Sequence, residues 1–156
     1  MAEAPAAAEL LTIGYEGTTL GHVLASLQEA GASRLLDVRA VPQSRKPGFS
    51  KRQLSASLAE IGIGYTHLRA LGTPKAGRIA VRHGDIATMH RIFDAHMQTP
   101  EAQADLAQAI AILADDRGCL LCFERDHTHC HRNIVARLIC EATGSSVRHL
   151  AAALPE

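Results

Sequence analysis

The chain has no tryptophan, and aromatic residues make up only 3 % of its 156 positions. Its interior must therefore be built from Leu, Ile, Val and Ala. It has no uninterrupted apolar run near the roughly 20 residues that a membrane helix needs. No basic leader precedes an apolar segment, so neither a membrane span nor a secretory signal is expected and the chain reads as a cytoplasmic protein. Four cysteines are too few for a disulfide framework in a chain of this length. In a reducing compartment they are expected as buried or functional thiols. No internal repeat and no dividing linker is present. Net charge is also absent, with 16 basic residues against 16 acidic ones.

What is present is a hydrophobic fraction of 47 %. That suffices for one domain burying roughly two thirds of the surface its unfolded form would expose. Residues 1–9, with five Ala, one Pro and two Glu, read as a disordered leader, and residues 10–156 as a single α/β domain. The zero net charge hides an asymmetry. Between Val38 and Gly84 nine basic residues face a single acid, Glu60, giving that segment a formal +8. A local positive field of this kind suits phosphate-bearing ligands, and arginines in turn-rich loops supply forked donors that can converge on one.

Short apolar runs ended by glycine or charge alternate with helical periodicity. Leu10 to Ile13 reads as a first strand. A glycine turn follows, and Thr18 or Thr19 can cap a helix carrying Leu20, Val23, Leu24 and Leu27. Arg34 to Val38 is a second strand, ending in Asp37 and Arg39, which share a face at its carboxyl end. After a loop held by Pro42 and Pro47, Ser50 with Gln53 suggests a capping box for the next helix. Gly64 to Leu68 is a third strand, and residues 69–84 read as a long basic loop, either covering a ligand or locally disordered. Asp85 and Thr99 cap two further helices, with Met89, Phe93 and Met97 forming a core stripe. Cys119 to Glu124 is the central strand, followed by a helix from about Cys130 and a short last strand at Val147 to Leu150. This alternation predicts a single-domain three-layer αβα sandwich with a mostly parallel sheet of about five short strands.

The stretch from Leu120 to Arg132 carries the densest chemistry. Side chains alternate along a strand, so Cys122 and Glu124 face one way and Cys119 the other. A zinc knuckle from Cys119-x-x-Cys122 is thereby disfavoured. A metal set drawn from Cys122, Glu124, His127, His129, Cys130 and His131 stays open as an alternative. Cys130, beside His131 and Arg132 at a helix start, can be a nucleophile or can pack under the turn. Arg137 falls one residue too late for a phosphatase loop. Glu124, a carboxylate ending an apolar strand, needs a cation such as Arg39, Arg132 or His67 near it.

Several segments in order and spacing resemble the domain of unknown function 488 family. They are Thr12-Ile13-Gly14-Tyr15-Glu16, Asp37-Val38-Arg39-x-x-Pro42-x-Ser44-Arg45, Phe49-Ser50-Lys51, Tyr65-x-His67-x-x-x-Leu71-Gly72, and Cys122-x-Glu124 leading to Cys130-His131-Arg132. The resemblance spans roughly Leu11 to Leu150. It implies an α/β fold and a site, without an established activity; His127 and His129 lie outside the pattern.

Together these readings lead to one site in two halves. Glu124, Cys130, His131 and Asp37 are its candidate catalytic residues. Tyr15, Arg39, Ser44, Arg45, Phe49, Ser50, His67, Cys122 and Arg132 are its candidate ligand-binding residues. The expected function is a hydrolase or transferase acting on a nucleotide or other phosphate-bearing small molecule, with Glu124 as acid or base and the arginines holding the anion. A nucleic-acid-binding module using the +8 segment is one rival, and a metal-binding or thiol redox protein is another. No cofactor or metal is assigned, and oligomeric state is left open.

Overall fold

The apolar runs become the strands of one sheet. In the computed structural model, which describes residues 9–155, these are β1 (Leu10–Gly14), β2 (Arg34–Asp37), β3 (Gly64–His67), β4 (Gly118–Cys122) and β5 (Val147–Leu150). Their order is β3-β2-β4-β1-β5, and every pairing is parallel. The leader expected over residues 1–9 lies, apart from Glu9, outside the described residues. β1 and β4 are buried along their whole length, whereas the edge strands β3 and β5 are partly exposed. That contrast follows from layering: a central parallel strand is covered on both faces and needs a continuous apolar run.

Helices cover both faces. α1 (Leu20–Glu29) and α2 (Lys51–Glu60) pack Val23, Leu27, Leu54 and Leu58 against Leu11, Ile13, Leu35, Cys119 and Leu121 on one side. On the other side are α3 (Lys75–Arg82), α4 (Ile86–His96), α5 (Pro100–Leu113) and α6 (Arg132–Thr143). There Met89, Phe93, Ala109, Ile134, Val135 and Ile139 meet Leu36, Leu120 and Cys122. Each fully buried Leu or Ile contributes roughly 1.5–3 kcal/mol. The result is a three-layer αβα sandwich in one domain. The Met89, Phe93 and Met97 stripe is core, at 0–2 % exposure. Among the described residues, no helix is long and apolar enough to cross a membrane.

Four local expectations are corrected. Residues 69–84 are not a long loop: a 3-10 turn at Arg69–Leu71 leads into α3. This helix docks on the core side through buried Gly77 and Ala80, so it lacks the large apolar stripe that reveals a helix in sequence. Ser50 occupies the α2 N-cap position but makes no capping bond. Its hydroxyl donates to the Ser44 carbonyl and accepts from the Ser44 N–H, both at 3.2 Å, which closes the preceding loop instead. The last helix begins at Arg132 rather than Cys130, because a 3-10 turn at His127–His129 intervenes. Finally, Cys122 and Cys130 are joined as a disulfide, so free thiols are found only at Cys119 and Cys140.

The connections set the location of the site. β1 leads through α1 to β2 on one side of the sheet, while β4 leads through α6 across the opposite face to β5 on the other side. Between β1 and β4 the chain diverges in both senses, and in open α/β sheets a crevice forms beyond the carboxyl ends of such strands.

Candidate functional site

A cavity of about 620 Å³ lies beyond the ends of β1, β2 and β4. Backbone pairing continues past the strands, with Tyr15 N–H donating to the Cys122 carbonyl and Glu16 N–H to that of Phe123. Val38 N–H likewise donates to the Leu121 carbonyl at 3.1 Å. The residues following three strands are thus held side by side. Tyr15, Glu16, Arg39, Cys122, Phe123 and Glu124 all reach the cavity wall.

Beneath that wall is a closed polar network. Arg39 is clamped by Asp37, with Nε to Oδ1 at 2.9 Å and Nη2 to Oδ2 at 2.7 Å. Its Nη1 donates to the Phe49 carbonyl at 2.7 Å and to the Tyr15 hydroxyl at 3.2 Å. Tyr65, on β3, donates its hydroxyl to Asp37 Oδ2 at 2.5 Å. Burial and this bond to a carboxylate push the Tyr65 phenol up. Burial alone would lower the Arg39 pKa, but the hydrogen bonds and charge of Asp37 outweigh it and hold the guanidinium protonated. Tyr15 stacks on Phe49 with ring centroids 4.3 Å apart and meets Phe123 in a T-shaped contact. His67 closes the set: its Nε2 lies 2.8 Å from the Arg39 carbonyl, an oxygen that can only accept.

The β4 side is organised by Arg132, which is fully buried. Its Nε donates to Thr12 Oγ1 at 3.2 Å, its Nη1 to the Glu124 carbonyl and to Cys122 Sγ at 3.0 Å, and its Nη2 to the Arg125 carbonyl at 3.1 Å. Gly14 makes this possible, since a β-carbon there would overlap the Glu124 carbonyl oxygen and meet Arg132 Nη1. Burial lowers the Arg132 pKa to about 10, against the opposing charge of Glu124. Burial raises the Glu124 carboxyl above the usual glutamate range; a bond to its own backbone and the charge of Arg132 offset part of that rise. His131 Nε2 lies 2.6 Å from the Val38 carbonyl, so this nitrogen carries the hydrogen. Burial pushes the His131 pKa down to about 4, leaving a neutral ring whose Nδ1 bears a lone pair.

The candidates from sequence fall into three groups. Arg39, Ser44, Cys122, Glu124, Cys130 and His131 line the cavity together with Tyr15. Asp37, Phe49, Ser50, His67 and Arg132 stand outside its lining; Asp37, Phe49 and His67 brace Arg39, Ser50 closes the loop at Ser44, and Arg132 braces the β4 loop. Arg45 is exposed and away from it. Arg39 and Arg132 have most of their N–H groups bonded within the protein.

Two further cations, Arg78 and Arg82 on α3, reach the cavity with Gln43, Thr73 and Val81. Sequence reasoning placed them in a loop and did not single them out. Their signal was the i, i+4 spacing inside the basic segment, which puts both on one face of a helix.

No curated protein and no solved structure matches the chain. One family model does, over residues 19–139, and its description reads Domain of unknown function DUF488. The matched region starts after β1 and stops before β5, narrower than the Leu11 to Leu150 resemblance, and contains every site candidate except Tyr15. Covering most of the 156 residues, it shows that the chain belongs to the DUF488 family.

Proposed function

We propose that this protein is a cytoplasmic enzyme of the hydrolase or transferase type, acting on a nucleotide or another phosphate-bearing small molecule. The observation that carries the reading is that Glu124 and two uncommitted cations, Arg78 and Arg82, face one cavity of about 620 Å³. That volume is in the range of small-molecule sites. The two guanidiniums would hold an anion by charge-assisted bonds, each contributing about 1.5–3 kcal/mol. Glu124, in the same lining, would give or take a proton at the group being transferred. The half-exposed ring of Phe123, 45 % accessible, offers an apolar face to a base or other flat moiety. The concave shape favours a small molecule over a bare nucleic-acid groove.

Calorimetric titration with a nucleoside triphosphate, its nucleoside and inorganic pyrophosphate tests the reading. The triphosphate binds and the nucleoside binds far more weakly; Arg78→Ala with Arg82→Ala lowers triphosphate affinity by at least about tenfold. Glu124→Gln retains binding and loses turnover. Equal affinity of the wild type and the double variant overturns the proposal. Duplex DNA affinity that falls steeply with salt and is indifferent to Glu124→Gln would favour the nucleic-acid-binding module instead.

A further inference from the structure

Three soft or borderline donor atoms converge at one wall of the cavity. Cys122 ends β4, Cys130 and His131 immediately precede α6, and their ligating atoms all lie within 4.8 Å of one another. All three residues are buried, yet all three line the cavity. The arrangement has the outer contacts that metal ligands use. His131 donates Nε2–H to the Val38 carbonyl at 2.6 Å, which turns the Nδ1 lone pair inward to 3.7 Å from Cys130 Sγ. A backbone or carboxylate acceptor on the far nitrogen is the usual way a ligating imidazole is oriented. Each sulfur also receives a hydrogen bond: Arg132 Nη1 reaches Cys122 Sγ at 3.0 Å, and the Arg132 backbone N–H reaches Cys130 Sγ at 3.5 Å. Such donors stabilise negative charge on sulfur, and the buried guanidinium offsets it.

We propose that the reduced Cys122–Cys130 pair, with His131 Nδ1, binds one zinc-class divalent ion whose fourth position opens onto the cavity beside Glu124. Reducing the disulfide with a dithiol adds two electrons and two protons. Metal binding then releases the two thiol protons as both sulfurs coordinate. Three protein ligands with an open position distinguish a catalytic zinc site from a closed structural one. A water held there would be activated towards hydroxide, next to Glu124, whose Oε2 lies 3.6 Å from Cys122 Sγ. This rests on, and narrows, the reading of the cavity as an enzyme site: the reaction becomes metal-assisted hydrolysis.

Full-length protein, reduced and stripped with a chelator, is titrated with Zn²⁺ and separately with Co²⁺. One equivalent of each binds, and cobalt develops a thiolate-to-metal charge-transfer absorption. On the wild-type protein, zinc shields Cys122 and Cys130 from alkylation and leaves Cys140 labelled at its metal-free rate, a readout that needs no variant to fold. Cys122→Ser, Cys130→Ser and His131→Ala each lose more affinity than the roughly 10–100-fold that follows removal of an outer-shell partner; Cys140→Ser loses none. Sub-stoichiometric binding by the reduced wild type, or alkylation of Cys122 and Cys130 at unchanged rates, overturns the proposal. Metal bound at one equivalent without triphosphate affinity would leave the metal site standing and sink the phosphate reading. Triphosphate binding to a protein that takes up no metal would do the reverse.

Discussion

Asp37 and Arg39 form a two-pronged ion pair in the protein interior, at 2.9 and 2.7 Å, with side-chain exposures of 0 % and 6 %. They sit two residues apart at the end of a strand, so backbone geometry holds both on one face and little entropy is lost in pairing them. The pair also receives the Tyr65 hydroxyl and anchors Tyr15 and Phe49. Asp37→Ala leaves a buried guanidinium without its counter-charge and lowers stability by about 3–5 kcal/mol, read from denaturant unfolding. Arg39→Lys keeps the charge but cannot reproduce the fork, and is also destabilising. An unchanged midpoint for both variants would contradict the structural role of the pair.

Gly14→Ala is a second test. Its β-carbon would collide with backbone, the Glu124 carbonyl, rather than with a flexible side chain. Relief requires β1 and the residues after β4 to part. We expect a loss of about 1–3 kcal/mol, together with weaker triphosphate binding, because the same movement displaces Glu124 and Phe123. Full retention of both properties would show that the contact is not needed.

Arg132→Met removes the donor shared by Thr12, Cys122, Glu124 and Arg125. Buried acceptors left unmatched cost about 1–3 kcal/mol each, and the segment between β4 and α6 loses its tether. Faster proteolytic cleavage within residues 123–130, at a denaturant midpoint below that of the wild type, is the expected result. Cleavage at the wild-type rate would mean that the 3-10 turn holds the segment unaided.

A fourth prediction concerns acid. His149 on β5 bonds Thr12 Oγ1 through Nδ1 at 2.6 Å and stacks on His127 at 3.5 Å. Burial first, then the charges of His127 and Arg132, push its pKa down to about 4. A depressed histidine binds its proton more readily in the unfolded chain. Its contribution is therefore fully present above about pH 6.5 and is lost as pH falls from there towards 4. His149→Asn should flatten the fall in stability across that window; an unaltered slope would assign the acid sensitivity elsewhere.

The strands were legible because buried parallel strands must be apolar throughout, and Leu10 to Ile13 and Cys119 to Cys122 can be little else. The pairing of Asp37 with Arg39 was legible from period-two geometry, as was the division of Cys119 from Cys122 onto opposite faces. α3 was hidden because Gly77 and Ala80 dock without bulk, and hiding the helix also hid Arg78 and Arg82. The meeting of Cys122 with Cys130 depended on how residues 123–129 turn back under Arg132, a tertiary arrangement no local pattern encodes. Arg132 itself seemed an anion binder by its charge, yet its burial assigns it to carbonyls.

The position of β4 has a consequence for how the chain acquires its shape. β1 and β2 each pair with β4 and not with one another, so the two halves of the sheet share no ladder until residues 118–122 arrive. Local contacts can form α1, α2 and the β2–β3 pair early, but the centre of the sheet must wait for a segment more than 80 residues downstream of β2. Closing so long a loop before any reward makes this the slow step of folding. Until then, the edges of β1 and β2 that β4 will cover remain open to pairing with other chains.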